Sequence, residues 1–140
     1  MILIQKYFNN LSTEQINQFS KLESLYNYWN QKINLISRKD NSQLYLRHVL
    51  HSLSIARLIK FKIDSDILDV GTGGGFPGLP LAILFPKVNF YLNDSIKKKI
   101  SVVKDISKSL NLSNINIIHS RAEDIDKKFD FIVSRAVTNM

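Results

Sequence analysis

The chain carries the sequence Gly71-Thr72-Gly73-Gly74-Gly75-Phe76-Pro77-Gly78 between two apolar segments of different character. Residues 66–70 before it read as a short buried strand, and residues 79–85 after it have the composition of a helix. A strand, a glycine-rich turn and a helix in this order place bare backbone at the carboxyl end of a parallel strand, where small cofactors bind. Glycine suits such a turn because it adopts positive φ and lets a ligand approach the backbone. The sequence therefore predicts a cofactor site in an α/β fold.

Two classes of cofactor fit a glycine turn, and they differ in charge. A nicotinamide or flavin dinucleotide presents an anionic pyrophosphate to a helix N-terminus, whereas S-adenosylmethionine presents a cationic sulfonium and ammonium beside one carboxylate. Gly73, Gly75 and Gly78 satisfy G-x-G-x-x-G, but this register begins two residues after Gly71, the first glycine beyond the strand. Asp69 lies just before the turn, where its carboxylate would repel a pyrophosphate and attract an ammonium. These residues favour the methyl donor and leave a dinucleotide as the alternative.

The second predicted strand, residues 88–93, ends at an acidic residue, Asp94. A carboxylate at the tip of the second strand, about 20 residues past the glycines, accepts hydrogen bonds from the ribose hydroxyls of a nucleoside cofactor. Aspartate also favours the position that caps a following helix. Both roles can hold at once, so Asp94 is a candidate for ribose binding, for capping or for both.

The chain divides into a helical part and an alternating part. Residues 1–62 show apolar spacings of three and four residues, with a capping box at Ser12 and Gln15, and predict a helical N-terminal cap. Its second long helix, from about residue 42 to residue 60, is expected to place Leu46, Val49 and Leu53 on its apolar side.

Residues 63–140 alternate between strand and helix, with strands at 66–70, 88–93, 115–118 and 130–134. This pattern predicts a parallel sheet covered by helices. A sheet that ends at its fourth strand has a bare edge, and the residues after Arg135 read as the start of a helix. A C-terminal truncation is therefore expected.

Composition limits the classes of function. The 140 residues contain no cysteine, which excludes disulfides, thiolate zinc sites and a cysteine nucleophile. His48 and His51 lie three apart without a carboxylate at matching spacing, so no metal site is expected. No segment approaches the roughly 20 apolar residues that cross a bilayer, and the N-terminus lacks signal-peptide features; a cytoplasmic protein without a membrane partner is expected. The net charge of +7 favours an anionic partner such as nucleic acid.

Several signatures, in order along nearly the whole chain, resemble one bacterial family. That family is the ribosomal RNA small subunit methyltransferase G family, also called glucose-inhibited division protein B. The signatures are Trp29-Asn30-Gln31-Lys32-Ile33-Asn34-Leu35-Ile36-Ser37, Arg47-His48-Val49-Leu50-His51-Ser52, Asp69-Val70 with the glycine turn at 71–78, Asp94-Ser95 with Lys98, Ser120-Arg121-Ala122-Glu123, and Ser134-Arg135-Ala136.

The resemblance implies a class I, Rossmann-like, S-adenosylmethionine-dependent methyltransferase sheet at residues 63–140, its last part missing, behind the helical cap at residues 1–62. It implies N7-methylation of a guanosine in 16S ribosomal RNA, with that RNA or the small ribosomal subunit as partner of a monomeric protein. The family's cofactor positions match Gly71, Phe76, Ala122, Glu123 and Arg135. The candidate cofactor residues, including those argued from chemistry, are Gly71, Phe76, Ala122, Glu123, Arg135, Gly73, Asp94 and Asp69.

Guanine N7 carries a lone pair and no proton, so methyl transfer to it needs no general base and no catalytic residue is assigned. Alignment of the reacting atoms and exclusion of water are then the work of the site. For Arg121 and Arg135 a structural ion pair, with Glu123 or Asp94, is the alternative to a functional role. Alternative functions are a methyltransferase of the same fold acting on another RNA or a protein, a NAD-type oxidoreductase, and a non-catalytic RNA-binding module.

Overall fold

The computed structural model describes residues 1–35 and 43–135. Within these residues, four parallel strands form one sheet in the order β3-β2-β1-β4. The strands are β1 (Asp66–Asp69), β2 (Asn89–Asp94), β3 (Ile115–His119) and β4 (Phe131–Val133). The chain leaves β1 for β2 on one side and later returns to β4 on the other, so a crevice opens at the carboxyl end of β1. The predicted parallel α/β sheet is confirmed.

Among the described residues, three helices precede the sheet in the chain, and two helices and a short 3-10 turn lie between its strands. They are α1 (Ile2–Tyr7), α2 (Thr13–Asn30), α3 (residues 45–57), α4 (Gly78–Leu84), α5 (Lys97–Ser109) and the 3-10 turn (Ala122–Asp124). Helix α3 is a continuous run of three geometries: a π-helical turn (Tyr45–Leu50), an α-helical turn (His51–Leu53) and a 3-10 turn (Ser54–Arg57). In the described part of the chain, no helix has the length and apolar character needed to span a membrane.

Helix α2 begins with the capping box that the sequence predicts. Ser12 Oγ accepts a hydrogen bond from the Gln15 backbone N–H at 3.1 Å, and Gln15 Oε1 accepts one from the Ser12 N–H at 2.8 Å. The Gln15 amide also donates to the carbonyls of Ile83 and Leu84, at 3.0 and 3.2 Å. Because those carbonyls end α4, one side chain both starts α2 and fastens it to the helix after the glycine turn.

The residues of α3 that face the core differ from those predicted. The prediction that Leu46 lies on the apolar side is wrong, since its side chain is 53% exposed. His48 is buried instead, with 6% of its surface exposed, and Val49 is fully buried beside it. The spacing of four still holds, because His48 and Ser52, like Val49 and Leu53, lie four residues apart and are all buried. The inward face is therefore rotated away from Leu46 and includes polar residues.

One hydrophobic cluster joins the N-terminal helices to the sheet. It includes Phe19 and Tyr26 from α2, Leu79 from α4, and Phe90 and Leu92 from β2. The boundary between residues 62 and 63 stays a prediction. Two segments lie outside the described residues. They are residues 36–42, which include the predicted start of the second long helix, and residues 136–140, where a further helix was expected to start.

Candidate cofactor site

The glycine turn leaves open space against its backbone. Gly71 and Gly73 have φ of +65° and +59°, and a Cβ added to either would meet nothing within 4 Å. The turn is fastened to the end of β2, because the N–H of Thr72 donates to the carbonyl of Asn93 at 2.7 Å and the N–H of Gly73 to Asp94 Oδ2 at 2.8 Å. A rigid turn with bare backbone facing a crevice can hold a small ligand.

Asp69 lies fully buried at the end of β1. Its Oδ2 accepts hydrogen bonds from Thr72 Oγ1 at 2.7 Å and from the Gly78 N–H at 2.8 Å. Its Oδ1 has no hydrogen-bond partner among the described residues. Burial raises the pKa of Asp69 from 3.8 to about 7, although those hydrogen bonds and the charge of Arg135 lower it. A buried carboxylate with an unsatisfied oxygen is stabilised by a nearby cation and disfavours a pyrophosphate.

Asp94 ends β2, and its expected role as the cap of α5 is not found, because this helix begins after Ile96 without a side-chain cap hydrogen bond. Its Oδ1 accepts a hydrogen bond from the backbone N–H of Ile96 at 2.9 Å, just before α5, and its Oδ2 accepts the bond from Gly73. It therefore orders the entry to α5 and positions the glycine turn. Each carboxylate oxygen has a second lone pair, so binding of a ribose stays a prediction.

Phe76 packs inside the protein, with 4% of its surface exposed. Its ring centroid lies 5.1 Å from that of Tyr26 and 4.9 Å from that of His48, and the Arg135 Cζ lies 5.3 Å from it. Among the described residues these side chains enclose the ring. The cofactor contact that the family resemblance implies for Phe76 stays a prediction.

Ala122 and Glu123 lie in the 3-10 turn after β3, and both are exposed. The end of β3 is held to the end of β2, because the Asn93 side chain donates to the carbonyls of Ile118 and Ser120, at 3.2 and 2.9 Å. Within the described part of the chain, no hydrogen bond joins Ala122 or Glu123 to the glycine turn. The fold places them at the same edge of the sheet, with β2 between them and β1.

The structure thus brings together Asp69, Gly73, Asp94, Phe76 and Arg135, and it places Ala122 and Glu123 further along the edge. The ion pairs considered for Arg121, with Glu123 or Asp94, do not form among the described residues. No group of three or more His, Asp or Glu residues in those same ranges is arranged to hold a metal ion.

Tyr26 also belongs to this site, although sequence reasoning missed it. Its hydroxyl donates to the Gly74 carbonyl at 2.5 Å, and burial raises the pKa of this hydroxyl. The bond joins α2 to the middle of the glycine turn, 48 residues later in the chain. An apolar spacing in α2 predicts that Tyr26 is buried, but no local signal shows which carbonyl its hydroxyl reaches.

Replacing Tyr26 with Phe is expected to lower the free energy of unfolding by about 1–3 kcal/mol, because the buried Gly74 carbonyl would lose its partner. Urea unfolding measures the change. The matched control is Tyr28→Phe in the same helix, where the side chain is exposed and a change within about 0.5 kcal/mol is expected. Equal losses in the two variants would contradict a structural role for the Tyr26 hydroxyl.

The strand order and the glycine turn are those of a Rossmann-like sheet, and the solved structures that share this fold include class I methyltransferases. A solved structure described as a SAM-dependent methyltransferase from Aquifex aeolicus superposes with a TM-score of 0.51 and 25% sequence identity. The superposition covers 59% of this chain and 46% of that one.

The chain belongs to the rRNA small subunit methyltransferase G (GidB) family, whose model matches residues 15–140. A relative of that name from Cytophaga hutchinsonii is 59% identical over 138 residues, which cover 99% of this chain and 67% of the relative. Another, from Flavobacterium johnsoniae, is 59% identical over 137 residues, covering 98% of this chain and 66% of the relative. The chain therefore spans about two thirds of the length of these relatives, and the resemblance that its motifs predict is confirmed.

Proposed function

We propose that this chain forms the cofactor-binding part of an S-adenosylmethionine-dependent methyltransferase that modifies N7 of a guanosine in 16S ribosomal RNA. One observation carries the choice of cofactor. A fully buried carboxylate, Asp69, has an unsatisfied oxygen and lies beside a turn whose glycines face open space. That arrangement favours a cationic ligand over an anionic one. The family membership supports the reaction and the RNA substrate.

The residues present fit this cofactor. The backbone at Gly71 and Gly73 has room for a ligand, and the charge of Asp69 favours its cationic end. Asp94 retains lone pairs for the ribose hydroxyls. The exposed turn at Ala122 and Glu123 offers backbone groups to the adenine edge. The remaining proposed contacts are the Phe76 backbone and the Arg135 guanidinium.

When bound, S-adenosylmethionine supplies an electrophilic methyl group. The acceptor N7 has an in-plane lone pair and no proton to lose, so the protein needs no general base. Its residues orient the two partners and exclude water, which are contributions of proximity. No residue is therefore proposed to be catalytic. The net charge of +7 supports binding of an RNA or of the small ribosomal subunit. The protein is proposed to act as a monomer in the cytoplasm.

Calorimetry with two ligands tests the cofactor. S-adenosylhomocysteine is expected to bind, and NADH is expected not to. Binding of NADH alone would establish a dinucleotide enzyme instead.

Mapping of modified nucleotides tests the substrate. In 16S ribosomal RNA from cells that lack the gene, one N7-methylguanosine is expected to be missing. An unchanged set of N7-methylguanosines would refute the substrate assignment, and a lost methyl group in another RNA or in a protein would identify the alternative.

The affinity for S-adenosylmethionine is expected to depend on pH through Asp69. A cationic ligand favours the ionised carboxylate, whose pKa is raised to about 7. As the pH falls below about 7, the carboxylate takes up a proton and the dissociation constant rises, at most tenfold per pH unit. Calorimetry from about pH 8 to about pH 6 measures the profile. A flat profile in the wild type would show that the charge of Asp69 does not contribute to binding.

A further inference from the structure

We propose that His48 is a positioning residue for the cofactor site. As a neutral imidazole with its proton on Nε2, it accepts a hydrogen bond from Arg135 through Nδ1 and holds the guanidinium against Phe76. The inference rests on the proposed function, in which Arg135 contacts the cofactor. It assigns to the N-terminal helices a direct influence on the geometry of the site.

The contact determines the protonation state of His48. Arg135 Nη2 lies 2.8 Å from His48 Nδ1. A guanidinium has five donors and no acceptor, so the imidazole nitrogen must accept. A protonated imidazole has donors on both nitrogens and would place a second positive charge beside the guanidinium. The geometry therefore requires the neutral form, protonated on Nε2.

The pair is held in a packed cluster rather than on the surface. The His48 ring and the Arg135 Cζ lie 4.9 and 5.3 Å from the centroid of Phe76, the residue after Gly75 in the turn. Two titratable groups from other elements act on the guanidinium. Burial raises the pKa of Tyr26 on α2 and of Asp69 on β1, and the Arg135 charge lowers both. Moving Arg135 would therefore change the electrostatic environment of Asp69.

The backbone of α3 provides a second observation. His48 lies in the π-helical turn Tyr45–Leu50 and is buried, with 6% of its surface exposed. π-helical turns are rare and occur frequently at functional sites. An apolar residue would be buried at this position at lower cost, because a buried imidazole must satisfy its polar atoms. The buried imidazole is explained if it is needed at Phe76 and Arg135.

A packing role and a positioning role make opposite demands on this position. If His48 only fills space, Leu should replace it without loss of binding. If it positions Arg135, a replacement needs an acceptor near Nδ1. Asn supplies one, because its side-chain oxygen is attached to Cγ as Nδ1 is in histidine. The variants His48→Leu and His48→Asn therefore separate the two roles.

The dissociation constant of S-adenosylhomocysteine is measured for the wild type and both variants, with thermal unfolding of each. His48→Leu is expected to weaken binding about tenfold, and His48→Asn less than about threefold. Equal affinities of His48→Leu and the wild type, or an equally large loss in both variants, would overturn the proposal. A wild type that binds no S-adenosylhomocysteine would instead refute the proposed function, and the inference with it.

Nitrogen-15 NMR of the histidine rings supplies a readout that does not depend on the cofactor. His48 is expected to be neutral and protonated on Nε2 at neutral pH, and this preference should weaken in Arg135→Gln. An Nδ1-protonated ring, or an imidazolium, would overturn the assignment. This measurement also tests the proposal if His48→Leu fails to fold.

Discussion

Replacing Asp69 with Asn is expected to weaken binding of S-adenosylmethionine by about tenfold to a hundredfold, the range for losing an interaction with a charged group. The side-chain oxygen of Asn can still accept the hydrogen bonds from Thr72 and Gly78 that Oδ2 accepts now. The negative charge is lost, and with it the attraction for the sulfonium and the ammonium. Calorimetry at about pH 8, above the raised pKa, measures the full effect.

The same variant should change how stability depends on pH. The folded-state pKa of Asp69 is raised to about 7 from 3.8, so the folded protein binds more protons than the unfolded chain between these values. The free energy of unfolding therefore falls as the pH rises through this window, and the penalty is fully present above about pH 7.

Asn does not titrate, so the stability of Asp69→Asn should be flatter across that window. Urea unfolding at about pH 5 and about pH 8 measures the difference. Unchanged affinity, together with a pH dependence of stability equal to that of the wild type, would remove Asp69 from the proposed site.

Replacing Gly78 with Ala is expected to destabilise the fold by about 3 kcal/mol, at the upper end of the usual cost of overpacking. The new Cβ would lie 2.0 Å from Leu92 Cδ2 and 2.8 Å from Asp69 Oδ2. Neither neighbour has space to move, because Leu92 is fully buried and Asp69 Oδ2 accepts the Gly78 N–H. Urea unfolding measures the loss, and binding should decrease mainly because less protein is folded.

The matched control is Gly73→Ala, the same change five residues earlier. A Cβ there meets no atom within 4 Å, so the cost is limited to the positive φ, about 1–2 kcal/mol. That Cβ projects into the open space of the proposed site, and affinity for the cofactor should fall even where the protein is fully folded. A greater loss of stability in Gly73→Ala than in Gly78→Ala would mean that the packing around the turn is wrong.

Local sequence patterns were enough to predict the strands, the capping box and the glycine turn. Each depends on residues close together in the chain, as Ser12 and Gln15 are. The contacts between Tyr26 and Gly74 and between His48 and Arg135 join residues 48 and 87 positions apart, and no spacing encodes them. The inward position of His48 was also missed, because the prediction placed only apolar residues of this helix on its inward side.

The role of Phe76 shows a related limit. Its place in the family motif predicted a cofactor contact. Only the folded chain shows that its ring is enclosed by Tyr26, His48 and Arg135, from three different elements. For Asp94 the residue type predicted a cap of α5, but its carboxylate bonds the N–H of Ile96 ahead of the helix and the N–H of Gly73 in the turn.

The contacts of Tyr26 with Gly74 and of His48 with Arg135 matter for any attempt to transfer this site to another protein. A polypeptide beginning at residue 63 would keep every glycine and every carboxylate of the proposed site. It would lack the Tyr26 hydroxyl and the His48 imidazole, which brace the turn and the guanidinium from outside the sheet. Grafting the motif alone into another host should therefore yield a weak binder. The smallest portable unit includes helices that supply none of the proposed ligand contacts.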